Sequence, residues 1–385
     1  MTIVVKKFGG TSVGNIERIK RVTNIIASSS ERVVVVVSAM AGMTNQLVKY
    51  VEGIGPISSS SALSEYDTVV SSGEQITTGL MALSLISIGL KAKSYLGWQI
   101  PIETNYDFSQ GKIIKIATEQ LMNDLADGII PVIAGFQGIN NGRITTLGRG
   151  GSDTTAVALA VAIGADRCDI YTDVDGIYSA DPRVVPKAKK IDNIDYESLL
   201  EMASAGAKVI HPRAVELGMI SGIPIRVLNT FSNNSGTEIT DKKMEKIVVN
   251  GIAIKNDLVM ITIPQVENID QLVQDLMQLG IAIDSISQAN LSLKDRSLKY
   301  DYVILISHEY LTRTTNVIGN TAIIREKISK VSVIGIGVKS LLQKILQSVS
   351  SIIGLQVLET QVSFLVDSIN SDKIVRDLHT RLDLD

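Results

Sequence analysis

The 385-residue chain has few of the residues and patterns that mark special classes of protein. It contains a single cysteine, Cys168, which excludes an intramolecular disulfide framework. We expect Cys168 to lie buried on a strand, because free cysteines are commonly buried. No uninterrupted apolar run reaches the ~18 residues that a membrane-spanning helix needs, and the start MTIVVKK lacks the pattern of a secretory signal peptide. We therefore expect a cytoplasmic protein without a membrane partner.

Neither sign of charge dominates the chain. Its 37 basic and 40 acidic residues give a net charge of −3, and no cluster of Lys and Arg stands out. Nucleic acid is therefore not an expected partner, and an anionic ligand would need a local site. Hydrophobic residues make up 45% of the chain and aromatic residues only 4%, so we expect aliphatic cores in a soluble globular protein. The length suffices for two or three domains.

Residues 1–240 alternate between apolar runs and segments with helical periodicity. The run RVVVVVSAM is apolar on both faces, as is typical of a parallel strand covered by helices on both sides. The alternation predicts an α/β sandwich with a mostly parallel sheet. One helical pattern covers residues 66–89, and the preceding GPISSSSALSE, residues 55–65, is typical of a flexible loop.

A polar stretch around residues 230–246 is the best candidate for a linker, and residues 247–385 beyond it contain a weak internal repeat. Each copy has an apolar strand, an amphipathic helix that ends near Gly280 or Gly354, and two further strands. The pattern DKIVRDLHTRL predicts a closing helix. Such βαββ units are too small to bury much apolar surface alone, so we expect them to pair face to face or edge to edge.

Four stretches rich in Gly or Asp follow apolar runs. They are KFGGTSVGN (7–15), SAMAGMTNQ (38–46), TTLGRGGSDTTA (145–156) and TDVDGIYSADPR (172–183). Open α/β sheets bind ligands at the carboxyl ends of their strands, so we expect these four loops to meet in one crevice. The fourth is not an EF-hand calcium loop, because Gly176 comes too early after Asp173 and the final position holds Val184 instead of Glu.

The first loop predicts a phosphate site. Gly9 and Gly10 let the backbone approach a phosphate closely, and a helix that starts near Asn15 would direct its free N–H groups there. Lys7 can extend its ammonium group from the strand end. The order is unlike that of the common phosphate loop GxxxxGK[ST], which is absent from the chain and places its lysine after the glycines.

The third loop predicts a carboxylate site at the start of a helix. Ser152 or Asp153 would be the N-cap of a helix from Thr154 to Ile163. Capping alone does not require Arg149, whose planar guanidinium suits a carboxylate.

Two further residues leave alternatives open. Glu74, in SSGEQI, is a lone acid in an apolar and hydroxyl-rich helix, where it either faces solvent or serves a site. His211, in KVIHPRA, is more typical of a turn or helix start than of a catalytic base, because no hydroxyl and acid accompany it. No Cys/His cluster supports zinc, so we expect no metal centre built from the protein alone.

The motifs together resemble the signatures of the aspartate kinase family, in order and at plausible spacing over residues 3–230. The motifs are KFGGTSV, SAMAGMT, SSGEQI, GFQG, TTLGRGGSDTTA, YTDVDGIYSADPR and GAKVIHP. The resemblance implies the amino acid kinase fold, an αβα sandwich in residues 1–240. More loosely, residues 247–385 resemble the tandem ACT domains that follow the kinase in that family, with regulatory and dimerisation roles.

The resemblance implies that ATP phosphorylates the β-carboxylate of L-aspartate to give 4-phospho-L-aspartate, the first step toward lysine through diaminopimelate, threonine and methionine. Mg²⁺ would be held mainly through the nucleotide phosphates. A carboxylate nucleophile is already ionised near neutral pH, which explains why no convincing catalytic histidine is needed.

The resemblance also implies roles for individual residues. The catalytic set is Lys7, Asp153 and Lys208, with Asp153 orienting the lysines. The aspartate site comprises Ser38, Thr44, Glu74, Arg149, Gly150, Gly151 and Ser152, with Arg149 facing the α-carboxylate and Glu74 the amino group. The ATP site comprises Lys7, Phe8, Gly9, Gly10, Thr172, Asp173, Tyr178, Arg183 and Lys208.

The regulatory half departs from the family pattern, because neither turn into a helix carries the usual Pro-Gly. Gln288 and Asn290 retain part of the polar edge that implies an effector site for lysine, threonine or both. The alternative is a domain kept only for association into a homodimer or higher homo-oligomer.

Two other functions remain to be weighed. One is a kinase for another acid, such as glutamate or acetylglutamate. The pair of Arg149 and Glu74 argues against an N-acylated substrate, which lacks the amino charge. The other is a catalytically silent amino-acid sensor, which the intact kinase motifs argue against.

Overall fold

A computed structural model describes residues 2–55, 57, 59–207, 209–241, 248–266, 268–278, 280–289, 300–318, 321–349 and 351–384. The chain divides into two compact units. The first comprises Met1–Ile177, Lys190–Ala203 and Lys208–Glu245, and the second Tyr178–Lys189, Ser204–Ala207 and Lys246–Asp385. The segments 178–189 and 204–207 thus belong to the second unit, whereas the domain division at 240–247 stays a prediction. No helix in the described ranges is long and apolar enough to cross a membrane.

The first unit alternates strands and helices, as the sequence predicts. Its strands are β1 Ile3–Phe8, β2 Arg32–Val37, β3 Ala92–Tyr95, β4 Ile102–Thr104, β5 Ile113–Ile116, β6 Ile130–Ala134, β7 Gln137–Asn140, β8 Arg143–Thr146, β9 Arg167–Thr172, β10 Ile177–Tyr178, β11 Lys190–Ile191, β12 Asn193–Asp195, β13 Ile225–Asn229 and β14 Thr237–Thr240. Its helices are α1 Ile16–Ala27, α2 Met43–Ile54, α3 Ser60–Val70, α4 Ser72–Ser87, α5 Glu119–Ala126, α6 Gly151–Ala162, α7 Tyr196–Ser204 and α8 Pro212–Ser221.

The main sheet of the first unit has eight strands among the described residues, in the order β12-β14-β13-β9-β1-β2-β6-β3. The central strands β13, β9, β1, β2, β6 and β3 are parallel, and only the β13–β14 pairing is antiparallel. The five valines of β2 are all buried, as predicted for a strand covered on both faces. Cys168 is fully buried on β9, which confirms that prediction.

One expectation about this unit is wrong, and another is confirmed except for a break in the helix. Residues 55–65 are not simply a loop, because α3 begins at Ser60 with the Ser59 side chain accepting the Ala62 N–H as a cap. The helical pattern over 66–89 is divided at Ser71 into α3 and α4. Serine hydroxyls that bond backbone groups locally favour such helix ends.

A smaller four-stranded sheet, β5-β4-β7-β8 within the described residues, stands beside the main one. The loop TTLGRGG follows β8 of this smaller sheet, and not a strand of the main sheet as the sequence suggested. α6 follows the loop and is buried from Gly151 to Ala160. Its small side chains fit a helix enclosed on all sides, since Ala and Gly allow close packing.

The second unit contains the predicted repeat. Its elements are β15 Val248–Val266, α9 Ile269–Gln278, β16 Ile283–Ala289, β17 Tyr300–Ser307, a 3₁₀ turn His308–Tyr310, α10 Leu311–Ile318, β18 Ile323–Ile336, a 3₁₀ turn Val338–Leu341, α11 Leu342–Leu346, β19 Gly354–Val357, β20 Gln361–Asp367 and α12 Ser368–Arg381. The sheet order β16-β17-β15-β18-β20-β19 is nearly symmetric about its centre. The two copies pair edge to edge through their first strands, because β15 and β18 are antiparallel neighbours.

The segment 178–189 forms part of the core of the second unit. Ala180 and Val185 are buried in a cluster with Leu378 of α12. Ser179 donates its N–H to the Lys189 carbonyl, and its hydroxyl lies 3.0 Å from Nε2 of the fully buried His379.

Candidate active site

The parallel strands of the first unit end side by side. Phe8 at the end of β1 is in register with Val37 of β2 and Tyr171 of β9, and Val37 is in register with Ala134 of β6. The loops after these strands therefore leave from one edge of the sheet, where open α/β sheets bind ligands.

A buried ion pair stands at this edge. Lys7 Nζ lies 2.6 Å from Asp153 Oδ1, and each side chain is 12% exposed. Lys7 comes from the end of β1 and Asp153 from the first turn of α6. The contact joins the first and third motifs. The sequence predicted that these motifs lie at the same edge of a sheet, but it did not predict this contact.

Asp153 is available to Lys7 because it does not cap the helix. The predicted cap by Ser152 or Asp153, with a helix starting at Thr154, is wrong. α6 begins at Gly151, and its N-cap is Gly150, in the left-handed conformation with φ of +68° and no side-chain cap. Glycine accepts this conformation without steric strain, so the turn needs no capping side chain.

The loop after β1 is tightly constrained. The Gly9 N–H donates to the Tyr171 carbonyl at 3.2 Å. A Cβ at Gly10 would lie 2.8 Å from the Ala39 carbonyl oxygen, so this position requires glycine. The helix expected near Asn15 is confirmed, since α1 starts at Ile16 and the Asn15 side chain accepts the Arg18 N–H.

Glu74 is buried and does not face solvent. It is 3% exposed, and its Oε1 accepts the Ala39 N–H at 3.0 Å. Its buried Oε2 accepts no hydrogen bond from any described residue. Burial raises the pKa of Glu74 to about 7, although the Ala39 N–H and the charge of Lys7 act in the opposite direction. The carboxylate is thus available for a cationic partner.

The other residues assigned to aspartate lie on two segments, residues 38–44 and 149–152. Ser38 directly follows β2 and donates its N–H to the Phe8 carbonyl at 3.1 Å, while Thr44 lies in the first turn of α2. Both are half-buried. Ser152 packs against Gly135, where a Cβ would lie 2.7 Å from the Ser152 Oγ. Arg149 is exposed on the loop before α6.

The predicted nucleotide residues are divided between the units. Thr172 ends β9 and donates from its hydroxyl to the exposed Asp173 at 3.3 Å. Tyr178 and Arg183 belong to the second unit, where Arg183 forms an exposed ion pair with Asp181 at 2.7 Å. Lys208 lies outside the described residues.

The predicted effector residues fall on β16 of the second unit and just after it. Gln288 is exposed on β16. Asn290, like Lys208, lies outside the described residues.

His211 occupies the N-cap position of α8, as expected for a helix-start residue. Its ring packs so closely against Gly150 that a Cβ there would lie 2.1 Å from the His211 Cβ. Burial lowers the pKa of His211, which Asp153 raises and Arg149 lowers through their charges. The neighbouring Pro212 at the start of α8 was the sequence signal for this position.

Two charged residues that form hydrogen bonds with the backbone just before α6 were not identified from the sequence. Asp67, fully buried on α3, accepts the N–H and the hydroxyl of Thr146. Arg213 on α8 donates to the carbonyls of Leu147 and Gly111. Asp67 lies in no recognised motif, and a lone Asp in a helix gives no signal of its distant partners. Arg213 directly follows the motif GAKVIHP, but the sequence does not show which carbonyls it contacts. No group of three or more His, Cys, Asp or Glu that could hold a metal ion occurs among the described residues.

Comparisons with known proteins agree on one family. The sequence profile of the amino acid kinase family matches residues 1–229. The aspartokinase of Rickettsia felis is 50% identical over 273 residues, which are 69% of this chain and 68% of that protein. The aspartate kinase of Pseudomonas putida is 38% identical over 413 residues, covering 100% of this chain and 98% of that protein.

Solved structures give the same result. The structure of E. coli aspartokinase III in complex with aspartate and ADP is similar to this chain with a TM-score of 0.81 at 25% identity, covering 99% of this chain and 100% of that one. The same enzyme in complex with lysine and aspartate gives a TM-score of 0.72 at 26% identity, with 99% of each chain covered. The fold, the full-length relatives and the matched profile establish that the chain belongs to the amino acid kinase family, among the aspartokinases.

Proposed function

We propose that this protein transfers the γ-phosphoryl group of ATP to the β-carboxylate of L-aspartate, giving ADP and 4-phospho-L-aspartate. A β-carboxylate oxygen forms the new bond to phosphorus, and the bond to the β–γ bridging oxygen breaks. The acyl phosphate would enter the synthesis of lysine through diaminopimelate, and of threonine and methionine. The support is the family membership together with the charges at the carboxyl edge of the main sheet.

The observation that carries the proposal is the ion pair of Lys7 and Asp153 at 2.6 Å, beside the buried carboxylate of Glu74. Phosphoryl transfer requires positive charge at the transferring group and alignment of two anions, here the β-carboxylate of aspartate and the γ-phosphate of ATP. In this proposal Lys7 bonds the γ-phosphoryl oxygens, and Asp153 fixes the position of the ammonium group. Lys208 would supply a second positive charge.

The aspartate would be held as a zwitterion. Arg149 would bind its α-carboxylate through a bidentate contact, and Glu74 would accept from its ammonium group. Ser38, Thr44 and the backbone of 150–152 would complete the contacts. The open Oε2 of Glu74 supports this role, because a buried carboxylate oxygen needs a donor. An N-acylated substrate would lack the ammonium group and leave that oxygen unpaired.

The nucleotide would lie along the loop after β1 and the end of β9. In this proposal Gly9 and Gly10 let the backbone approach the phosphates, with Phe8 beside them, and α1, which starts at Ile16, would direct its N-terminal N–H groups to the same place. Thr172, Asp173, Tyr178 and Arg183 are proposed to bind the rest of ATP. Mg²⁺, held mainly through the phosphates, would supply further neutralisation of their charge.

The test is formation of an acyl phosphate. Purified protein with ATP, Mg²⁺ and L-aspartate should give a hydroxamate when hydroxylamine is added, and acetylglutamate in place of aspartate should not. Replacing Lys7 by Ala should lower kcat by about 10²- to 10³-fold, as loss of a group that stabilises transition-state charge does. Folded protein that forms no hydroxamate from aspartate would refute the proposal.

We further propose that the second unit binds lysine, threonine or both, at a site that includes Gln288 and Asn290, and pairs with a second copy through its sheet. Support comes from the E. coli relative, whose structure was solved with lysine. Initial rates measured against lysine and threonine, singly and together, should fall with at least one of them. A rate that neither amino acid changes would leave association as the only role of this unit.

A further inference from the structure

The loop that carries Arg149 is held by charged groups from two distant parts of the chain. We define the Arg149 loop as residues 146–150, from the last residue of β8 to the residue before α6. Its members Gly148 and Gly150 have φ angles of +74° and +68°, so its path is unusual at two of five positions. Arg149 lies between them, and its side chain is exposed.

Asp67 fixes the first residue of the Arg149 loop. Its Oδ2 accepts the Thr146 N–H at 2.8 Å, and its Oδ1 accepts the Thr146 hydroxyl at 2.6 Å. The Ser109 N–H also donates to this carboxylate, at 2.9 Å to Oδ2. These donors are uncharged, and Asp67 is fully buried in the last turn of α3. A fully buried carboxylate is costly to remove from water, and the hydrogen bonds from Thr146 and Ser109 offset that cost.

Arg213 fixes the second residue of the same loop. Its Nη1 donates to the Leu147 carbonyl at 2.5 Å, and its Nη2 donates to the Gly111 carbonyl at 2.9 Å. The Gly111 N–H in turn donates to the Thr146 carbonyl at 2.8 Å. The guanidinium therefore joins the Arg149 loop to the neighbouring loop 105–111, which Asp67 also holds through Ser109.

The far side of the Arg149 loop is fixed by packing. The His211 ring lies against Gly150, and Gly148 is close to the Ser109 carbonyl, 3.1 Å from where a Cβ would stand. These contacts constrain the backbone on both sides of Arg149, whose side chain is exposed. A bidentate guanidinium contact depends strongly on geometry, so small shifts of this backbone are expected to be costly.

We propose that Asp67 and Arg213 are positioning residues that set the affinity for aspartate by fixing the Arg149 loop. The inference rests on the proposed function, since it takes Arg149 as the group that binds the α-carboxylate. Neither residue touches the substrate in this account. Both act through the backbone of 146–148.

The first experiment measures both Michaelis constants. Replacing Asp67 by Asn keeps the shape but turns an amide N–H₂ toward donors, so one hydrogen bond to Thr146 or Ser109 is lost. We expect KM for aspartate to rise roughly tenfold, with KM for ATP within about twofold of wild type. Arg213→Lys, which cannot bond both carbonyls in the same fork, should give the same pattern.

A matched control separates positioning from general damage. Asp124 is also buried on a helix of the first unit, and it bonds Tyr95 and Gln120 far along the chain from the Arg149 loop. Asp124→Asn should leave both Michaelis constants unchanged. If Asp67→Asn does not fold, Thr146→Val removes only the hydroxyl donor and provides the same test.

The decisive arm is a double-mutant cycle with Arg149→Ala. If Asp67 acts through Arg149, Asp67→Asn should raise KM for aspartate in wild type but hardly further in the Arg149→Ala protein. Equal increases in both backgrounds, or equal increases in both Michaelis constants, would overturn the proposal.

A measurement that does not depend on enzyme activity tests this inference separately from the proposed function. Amide hydrogen exchange at residues 147–150 should be faster in Asp67→Asn than in wild type, and unchanged in Asp124→Asn. If the wild-type protein is inactive but Asp67→Asn still speeds exchange at residues 147–150, the proposed function is refuted. The inference that Asp67 fixes the Arg149 loop then still stands. Unchanged exchange in Asp67→Asn would refute the inference that Asp67 fixes the Arg149 loop.

Discussion

The most informative single residue in the site is Glu74. The sequence left open whether its side chain faces solvent, because a lone acid in a hydroxyl-rich helix supports either reading. The structure buries it against the Ala39 N–H, with one oxygen unsatisfied by the described residues. Helical periodicity could not decide this, because the exposed side of α4 carries the apolar residues Ile76, Leu83 and Ile86 and so gives no polar face to recognise.

The raised pKa of Glu74, about 7, predicts how aspartate binding depends on pH. The ionised carboxylate is the form that binds an ammonium group, so below pH 7 it must first lose a proton. KM for aspartate should therefore fall as pH rises toward 7, by up to about tenfold per pH unit, and level off above it. Rates measured from pH 5.5 to 8.5 test this.

The control for that profile is Glu74→Gln, which has the same shape but no titrating group. Its KM for aspartate should be high and nearly independent of pH between 5.5 and 8.5. A variant that keeps the wild-type inflection would show that another group titrates.

At the scale of elements, the start of α6 shows where sequence reasoning failed and why. Ser, Asp and Thr at a helix start predict side-chain capping, yet the turn is made by Gly150 in the left-handed conformation. The glycines of GRGG indicated that a turn with positive φ was possible. The sequence did not show that this turn would form in place of a side-chain cap by Ser152 or Asp153. As a consequence, Asp153 forms an ion pair with Lys7 and does not cap its own helix.

Gly150→Ala tests the importance of this turn. The positive φ would cost about 1–2 kcal/mol for alanine, and the new Cβ would also collide with the His211 side chain. We expect the free energy of unfolding to fall by more than the strain alone, and KM for aspartate to rise. Chemical denaturation and steady-state kinetics measure the two effects.

Gly142 offers a matched control on the hairpin between β7 and β8. It has a φ of +76°, but a Cβ there would meet nothing within 4 Å. Gly142→Ala should therefore show the strain alone, with KM unchanged. Equal losses of stability in the two variants would show that the His211 contact contributes nothing.

At the scale of the whole molecule, the alternation of elements and the repeat were predictable. Strand and helix periodicity gave the α/β unit and the βαββ copies, because each pattern reflects burial on one or both faces. The sheet order was not predictable, since the pairing of β15 with β18 depends on contacts remote in sequence. For the same reason the second-unit location of residues 178–189, which carry Tyr178 and Arg183, had no sequence signal.

Adjacent residues of α9 test the core of the second unit. Leu276 is fully buried among aliphatic side chains of β15 and β17, whereas Met277 is 66% exposed. Leu276→Ala should lower the free energy of unfolding of this unit by about 2–5 kcal/mol, while Met277→Ala should change it by less than about 0.5 kcal/mol. Denaturant titration followed by circular dichroism measures both, and similar effects would contradict the burial.

The central claim is that Lys7, paired with Asp153, promotes phosphoryl transfer to the β-carboxylate of aspartate. Phosphorus NMR of the reaction with ATP, Mg²⁺ and aspartate labelled with ¹³C at the β-carboxylate tests it most directly. We expect a new acyl phosphate signal split by coupling to that carbon, and almost none with Lys7→Ala. ATP consumption without such coupling, or an undiminished signal with Lys7→Ala, would contradict it.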